Sequence, residues 1–298
     1  MNKFVFAVYR VVVPKPVRTI FLKKSLRKKI IGYFRNLPEK DVNGEQLEVV
    51  DYLEINPLAI FPYPFEHKYS PADIEVDSDK ALGMRYVMFE GKKLYFKKRW
   101  KSERIRRGFS DLMREQDINS PHRYLVPDFD VSEDDVIADI GAAEGNFSLS
   151  VIERVKKAYI LEYNREWAGA LNATFAPYKH KTEVINKMVS DTDDESNIKL
   201  DTFLKERQDV TFLKIDVDGV EQKVLNSCME TLRSNRPLKI ALCTYHRAND
   251  ESDFTRLLRD CGFEVGPSRG YMIHFYDKKI AAPWLRRGLI RAVRSTAF

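Results

Sequence analysis

The side chains that could do chemistry sit at the ends of short apolar runs. Asp139 lies one residue before the end of the run Val136-Ile-Ala-Asp-Ile140, and two glycines, Gly141 and Gly145, follow four residues apart. An acid there can attract a cation or hold a loop, and a glycine backbone lets a ligand come close. Glu162 ends a second run about 20 residues on, where a carboxylate accepts hydrogen bonds from ribose hydroxyls. Asp216 ends a third run and Tyr245-His246 a fourth. An imidazole titrates near neutral pH, so His246 is expected to be a general base, with Asp216 orienting it or binding an acceptor hydroxyl. Asp216, Asp218, Glu221 and His246 also form an oxygen-rich set that would suit Mg²⁺. Asp218 and Glu221 fall where a helix start wants acids anyway, so a divalent metal is the lesser expectation and no metal ligand is assigned.

These groups need a scaffold that gathers strand ends. Strands are expected near 136–140, 158–163, 183–189, 211–216 and 239–245, alternating with helices. That alternation predicts a mostly parallel sheet with right-handed crossovers, whose ligands bind at the carboxyl ends of the strands. Asn146 opens the helix after the glycine turn, and Trp167, Leu171 and Phe175 form the core face of the next one. Asp250 to Gly262 reads as a helix with an acidic start and a glycine stop. Tyr271-Met-Ile-His-Phe-Tyr276 reads as the closing strand, with His274 on a sheet face.

Asp-x-Gly-x-x-x-Gly from Asp139 to Gly145 resembles motif I of Rossmann-like S-adenosylmethionine (SAM) methyltransferases. Leu213-Lys-Ile-Asp-Val-Asp-Gly-Val-Glu221 closely resembles the Leu-Lys-Ile-Asp-Val-Glu-Gly-Ala-Glu signature of FkbM-type methyltransferases, and Tyr245-His246 matches that family's strand-end Tyr-His. The resemblance covers about residues 105 to 277. It implies an α/β, Rossmann-like class I SAM methyltransferase sheet, mostly parallel with an antiparallel final strand, behind an N-terminal extension. It implies SAM as cofactor and methyl transfer to a hydroxyl of a sugar, a glycan or another hydroxylated metabolite.

The cofactor residues it implies are Asp139, Gly141, Ala142, Ala143, Glu144, Gly145, Glu162, Tyr163, Ser190 and Asp191. Ser120 and His122 join them from the polar stretch Glu115–Tyr124, where Glu115 and Tyr124 are further cofactor or substrate contacts. The catalytic set is His246, Asp216 and Tyr245. Ala143 departs from the family, where Asn is commoner. A dinucleotide fingerprint would need Gly at the positions of Ala143 and Asn146, which disfavours an NAD-dependent oxidoreductase. The other alternative is a non-catalytic SAM-fold scaffold at a membrane surface. Asp139, Gly141, Glu162 and His246 together argue against it.

The 298 residues carry a net charge of +6, unevenly spread. Residues 1–35 hold ten Lys or Arg and residues 278–298 hold six, with no acid in either; the remainder is 34 basic against 44 acidic, or −10. Four regions are expected: a basic amphipathic arm (1–35), an extension or cap (36–125), the methyltransferase domain (126–277) and a basic tail (278–298). An acidic body argues against a nucleic-acid groove. Basic apolar ends suit peripheral contact with an anionic membrane. Helical spacing puts residues 22, 26, 30 and 33 of the arm on one face. Residues 36–82 read as irregular aromatic-rich loops, 85–97 as a hairpin turning at Glu90-Gly91-Lys92, and the helix after it carries Ile105, Phe109, Leu112 and Met113 on one face. No apolar run reaches the ~18 residues of a membrane span. Cys228, Cys243 and Cys261 lie inside expected regular elements without a CxxC pair, as reduced core thiols of a cytoplasmic protein would.

Overall fold

The computed structural model describes residues 15–295. The first part of the basic arm, residues 1–14, therefore lies outside the described residues. Helix α1 (Lys15–Arg35) and helix α2 (Gly44–Ile55) pack together. Strands β1 (Asp77–Asp79), β2 (Met84–Phe89) and β3 (Lys92–Tyr95) form a small antiparallel sheet, followed by helix α3 (Ser102–Glu115). The hairpin turns where expected, with Glu90 and Gly91 both at positive φ, 50° and 76°, the backbone a two-residue turn between twisted strands requires.

The main sheet starts at β4 (Val136–Ile140), and helix α4 (Asn146–Val151) follows. Then come β5 (Lys157–Leu161), helix α5 (Arg165–Phe175) and β6 (Thr182–Ile185). Two short strands, β7 (Met188–Val189) and β8 (Asn197–Ile198), pair only with each other. The expected single strand over 183–189 is thus two pieces, broken between Ile185 and Met188. Helix α6 (Leu200–Lys205), β9 (Phe212–Ile215), helices α7 (Glu221–Asn226) and α8 (Met229–Arg233), β10 (Leu238–Cys243), helix α9 (Asp250–Asp260), β11 (Glu264–Pro267) and β12 (Leu289–Arg294) complete the chain.

The seven strands run in the order β11-β12-β10-β9-β4-β5-β6. β4, β5, β6, β9 and β10 are parallel, and β12 is antiparallel to both its neighbours. This is an α/β arrangement with a mostly parallel sheet, an antiparallel β12 within it and additional elements before it. All five residues of β4 and all four of β9 are buried, as strands covered by helices on both faces must be. Ile137, Ile160 and Phe212 face one core with α3, α4, α5 and the hairpin; Val136, Ile140, Leu213 and Leu242 face the other with α6, α7 and α9.

Three expectations fail around this sheet. Residues 278–298 are not a detached basic tail: Leu289, Ile290 and Ala292 are fully buried in β12, wedged between β10 and β11. The sheet domain therefore runs past residue 277. The residues expected as the closing strand, Tyr271–Tyr276, form no strand; their one strand-type pairing among the described residues is an isolated bridge, Met272 to Arg286. Their apolar side chains instead join α1 and α2 in a third core with Leu26, Ile30, Phe34, Leu53 and Phe61. Within α1 the buried face is 26, 30 and 34, whereas Leu22 and Tyr33 are largely exposed. In the third failure, the supposed loops of 36–82 contain α2. Its start is fixed by a capping box in which Asn43 and Gln46 bond reciprocally.

The burial of β12 predicts the cost of weakening it. Leu289→Ala should lower the unfolding free energy by about 2–5 kcal/mol, the range for emptying a filled core site. Urea denaturation checks this; a change near zero would mean that the strand is not part of the cooperative core.

Candidate active site

The carboxyl ends of β4, β5, β9 and β10 converge where connections leave in opposite directions, between β4 and β9. A cavity of about 420 Å³ opens there. Its floor is the glycine turn. Gly141 has φ 77°, and a Cβ on it would meet the carbonyl oxygen of Asp216 at 2.0 Å. Only glycine fits. At Gly145, with φ 81°, a Cβ would press on Phe175 and Leu171 of α5. Ala143 is also left-handed, φ 47°. Asn tolerates that backbone better than Ala does, which gives a physical reason for the family preference at this position.

Glu162 braces the turn. Its Oε2 accepts from Ala143 N at 2.9 Å and its Oε1 from Asn164 N at 2.7 Å. A carboxylate has about four acceptor sites, so two remain toward the cavity. Beneath the turn, Asp139 and Lys214 face each other across β4 and β9, with Nζ 3.1 Å from Oδ1. Lys214 also donates to Gly141 O at 2.7 Å, and Ser148 donates to Asp139 Oδ2 at 2.8 Å. Burial alone would pull the Lys214 ammonium toward neutrality, but Asp139 and Asp216 outweigh it and hold the charge.

Asp216 anchors a second network. Tyr124 Oη donates to its Oδ2 at 2.8 Å, and Tyr245 Oη lies 3.5 Å from Oδ1. His122 Nε2 is 3.6 Å from Oδ2. Burial opposes ionisation, yet His122, Lys214 and His246 hold the Asp216 carboxyl well below the usual carboxylate range. Burial and the Asp216 charge push both tyrosine hydroxyls well above theirs, so they stay protonated donors.

Two other carboxyls behave oppositely. Burial pushes Glu115 up to about 7, and Asp216 and Asp111 add to the shift against His122 and Lys214. Burial and the neighbouring Glu115 push Glu144 up to about 8. Neither carboxyl forms an ion pair among the described residues, and Lys214, which favours the charge of both, does not offset their burial.

The expected site residues divide in two. Gly141, Ala142, Ala143, Glu144, Glu162, Tyr163, Asp216 and Tyr245 line the cavity, with Glu115 and Tyr124. Asp139, Gly145, Ser120, His122, Ser190, Asp191 and His246 do not. Asp139 is fully buried beneath the turn, and Ser120 Oγ accepts from His122 N behind the wall. Ser190 bonds Asp191, while Lys187, Met188 and Val189 supply the wall there.

His246 packs against Tyr245, ring centroids 4.0 Å apart and tilted by 35°, and is not itself part of the cavity lining. Its Nδ1 lies 2.8 Å from Glu221 Oε1, off line for a hydrogen bond. Burial opposes protonation of the ring, but Glu221, Asp216 and Asp218 outweigh it and raise its pKa. A raised pKa makes the ring a stronger base but leaves less of it neutral and free to take a proton near neutral pH. Glu221 takes the amides of Val217 and Gly219 at 3.3 Å each, and Asp218, at φ 51°, is exposed and does not cap α7. The expected capping pattern is therefore replaced by a carboxylate-braced loop.

Asp216, Glu221 and His246 bring three ligand-type atoms within 4.8 Å of one another, as do His122, Asp216 and Cys243. The groups in both sets already serve protein contacts. Burial keeps the Cys243 thiol protonated, which suits a core residue better than a metal ligand. Sequence reasoning missed Lys214, Lys97, Lys187 and Trp167 on the cavity wall. The signal for Lys214 was present: a lysine inside the otherwise apolar run Phe212-Leu-Lys-Ile215.

Residues 133–265 match the family model of the methyltransferase FkbM domain. Among solved structures, the chain is similar to methyltransferase FkbM from Methylobacillus flagellatus, 16% identical over 55% of this chain and 44% of that one, with a TM-score of 0.42. It is similar to precorrin-6y C5,15-methyltransferase from Geobacter metallireducens, 15% identical over 55% and 82% of the two chains, TM-score 0.39. It is also similar to the M. jannaschii tRNA m1G37 methyltransferase, 16% identical over 70% and 53%, TM-score 0.39. The chain thus spans less than half the length of the FkbM structure it matches. No curated protein matches it. Residues 133–265, just under half of the chain, thus carry its likeness to the FkbM methyltransferase domain, whose family implies SAM as methyl donor.

Proposed function

We propose that the chain transfers a methyl group from SAM to a hydroxyl oxygen of a sugar, a glycan or another hydroxylated metabolite. The observation that carries the reading is the strand-end cavity lined by Asp216, Glu162, and Glu115 and Glu144, the last two forming no ion pair among the described residues. SAM is a cationic ligand, so its donor chemistry fits this residue set. When bound, SAM supplies an electrophilic methyl group on a sulfonium.

The chain's own residues then bind and align. The open turn from Gly141 to Glu144 gives the methionine part a close approach, and the free acceptor sites of Glu162 suit ribose hydroxyls. Tyr163, Met188 and Val189 offer walls beside Ser190 and Asp191 for the adenine. Asp216, fixed by Tyr124 and Tyr245, presents a permanent negative charge to the reacting centre. His246 is a positioning residue that acts through Tyr245.

No helix among the described residues is long and apolar enough to cross a membrane. Exposed Ile20, Phe21 and Leu22 beside Lys24, Lys28 and Lys29 on α1 support peripheral contact with an anionic bilayer. Unpaired Cys228, Cys243 and Cys261 support a cytoplasmic setting.

Calorimetric titration with SAM tests the donor site. Glu162→Ala should weaken binding about 10- to 100-fold, the value of one or two charge-assisted hydrogen bonds. Unchanged affinity would remove Glu162 from the site.

The same titration run across pH reads the carboxyls. A cationic ligand binds the ionised forms, which are populated only above the raised pKa values of about 7 and 8. Affinity should therefore rise with pH through that window, and less steeply in Glu144→Gln. A flat wild-type profile would contradict the charge argument.

Co-sedimentation with phosphatidylserine vesicles tests the membrane contact. Phe21→Ser with Leu22→Ser should reduce the bound fraction, and equal binding to neutral phosphatidylcholine vesicles would exclude an electrostatic role for the lysines.

A further inference from the structure

A second cavity of about 580 Å³ lies beside the first. Its walls come from the N-terminal extension and from residues 272–276, neither of which belongs to the main sheet. Glu115 and Tyr245 line both cavities. We infer that the second cavity is the acceptor chamber and that Glu115, in the wall common to both, is the base that takes the acceptor's proton. This rests on the donor reading of the first cavity.

The chamber's chemistry suits an uncharged hydroxylated ring. Phe61, Phe275 and Tyr276 offer aromatic faces. The cations are already engaged: Arg114 bonds the carbonyls of Glu66 and Tyr69, and Lys23 lies over Phe275, 4.6 Å from its centroid. Glu66 Oε2 is buried without a hydrogen-bond partner, ready to meet a hydroxyl. Burial, His246 and Arg286 depress His274 to about 4, so it meets the chamber as a neutral imidazole that can donate or accept.

Glu115 ends α3, and its carboxylate makes no hydrogen bond or ion pair among the described residues. The helix C-terminus disfavours its charge. Asp111 faces it from its own helix, Asp216 and Lys214 from the β9 end, Glu144 from the glycine turn, and His122, Tyr124 and Tyr245 from the remaining wall. Its pKa near 7 puts it where a general base works best. In the step, the acceptor oxygen forms the new O–CH₃ bond as the CH₃–S bond breaks. Sulfur keeps the electron pair and becomes a neutral thioether. The hydroxyl proton passes to Glu115 and then to solvent. No other co-reactant is needed.

Three measurements on the full chain test the inference. In the first, saturation-transfer NMR with methyl α-glucopyranoside and S-adenosylhomocysteine should show contact with the protein. Tyr276→Ala, at an exposed wall, and Ala59→Trp, which fills the chamber, should each abolish it. No transfer in the wild type, or transfer surviving both variants, overturns the chamber. In the second, carboxyl ¹³C titration, assigned with Glu115→Gln, should give a Glu115 midpoint near 7 that falls on adding SAM. A midpoint near the unperturbed value of about 4.3 overturns the base. In the third, tritiated-methyl transfer to the glycoside should fall about 100-fold or more in Glu115→Gln, with SAM affinity nearly kept. The acid limb of the pH–rate profile should also disappear, and Glu115→Asp should restore part of the rate. Undiminished transfer in Glu115→Gln, or no transfer to a glycoside that binds, overturns the base assignment. SAM calorimetry on the same samples separates the failures: SAM binding without glycoside contact sinks this inference alone, whereas absent SAM binding sinks the donor reading.

Discussion

The ion pair between Asp139 and Lys214 holds the site in shape. Both side chains are almost completely buried, at 0% and 4% exposure. Such a pair adds little net stability, but removing one partner leaves a bare buried charge and costs about 3–5 kcal/mol. Its value here is positional. Lys214 reaches from β9 to the carbonyl of Gly141, and Asp139 reaches from β4 to Ser148 on α4. One pair thus ties two strand ends, the glycine turn and the following helix. The 2.0 Å approach reserved at Gly141 exists because the same turn is drawn against the Asp216 carbonyl.

What lies outside the sheet completes the site. Arg286, nearly buried, donates to the carbonyls of Tyr245 and His246 and to Asp277. It therefore links the end of β10 to the segment before β12. The same segment packs against α1 and α2, whose apolar faces it covers together with Leu58, Phe61, Tyr63 and Phe65. The extension closes the second cavity, and the sheet closes the first. Tyr245 lines both, because it lies two residues beyond the end of β10.

The strand-end acids were legible because burial on both faces writes an apolar run, and a polar residue ending that run can point only at a ligand or a neighbouring strand. Asp216 and Glu162 point at the cavity, whereas Asp139 points at Lys214. The sequence cannot distinguish these cases, because the partner lies 75 positions away on a strand with the same pattern. For His246, read from the sequence as a general base, the structure gives its neighbour Tyr245 to the cavity lining instead. Successive residues beyond a strand face opposite sides, so of Tyr245 and His246 only one can face the cavity. β12 was hidden by its own arginines: Arg291 and Arg294 reach back to bond carbonyls of Arg123, Tyr124, Leu232 and Cys261, and so look like a basic tail when counted as charges. The α2 start was readable from Asn43 and Gln46, but the surrounding prolines masked it.

The two classes of carboxyl in the cavity have one cause. Lys214 is deep and already shared between Asp139 and Asp216, so Asp216 is ionised at every ordinary pH. Glu115 and Glu144 form no ion pair of their own; Glu115 faces the Asp216 charge, and Glu144 faces Glu115 and Asp139. A cationic donor would lower both pKa values and so create a carboxylate base at the moment an acceptor needs one. Loss of the positive charge during transfer reverses the effect, because Glu115 again lacks a cation and its pKa rises. Glu115 would therefore be a strong enough acid to give up its proton when the donor is bound. It becomes a strong enough base to keep the acceptor's proton once the methyl has moved. The direction of proton transfer would thus be set by charge already built into the walls.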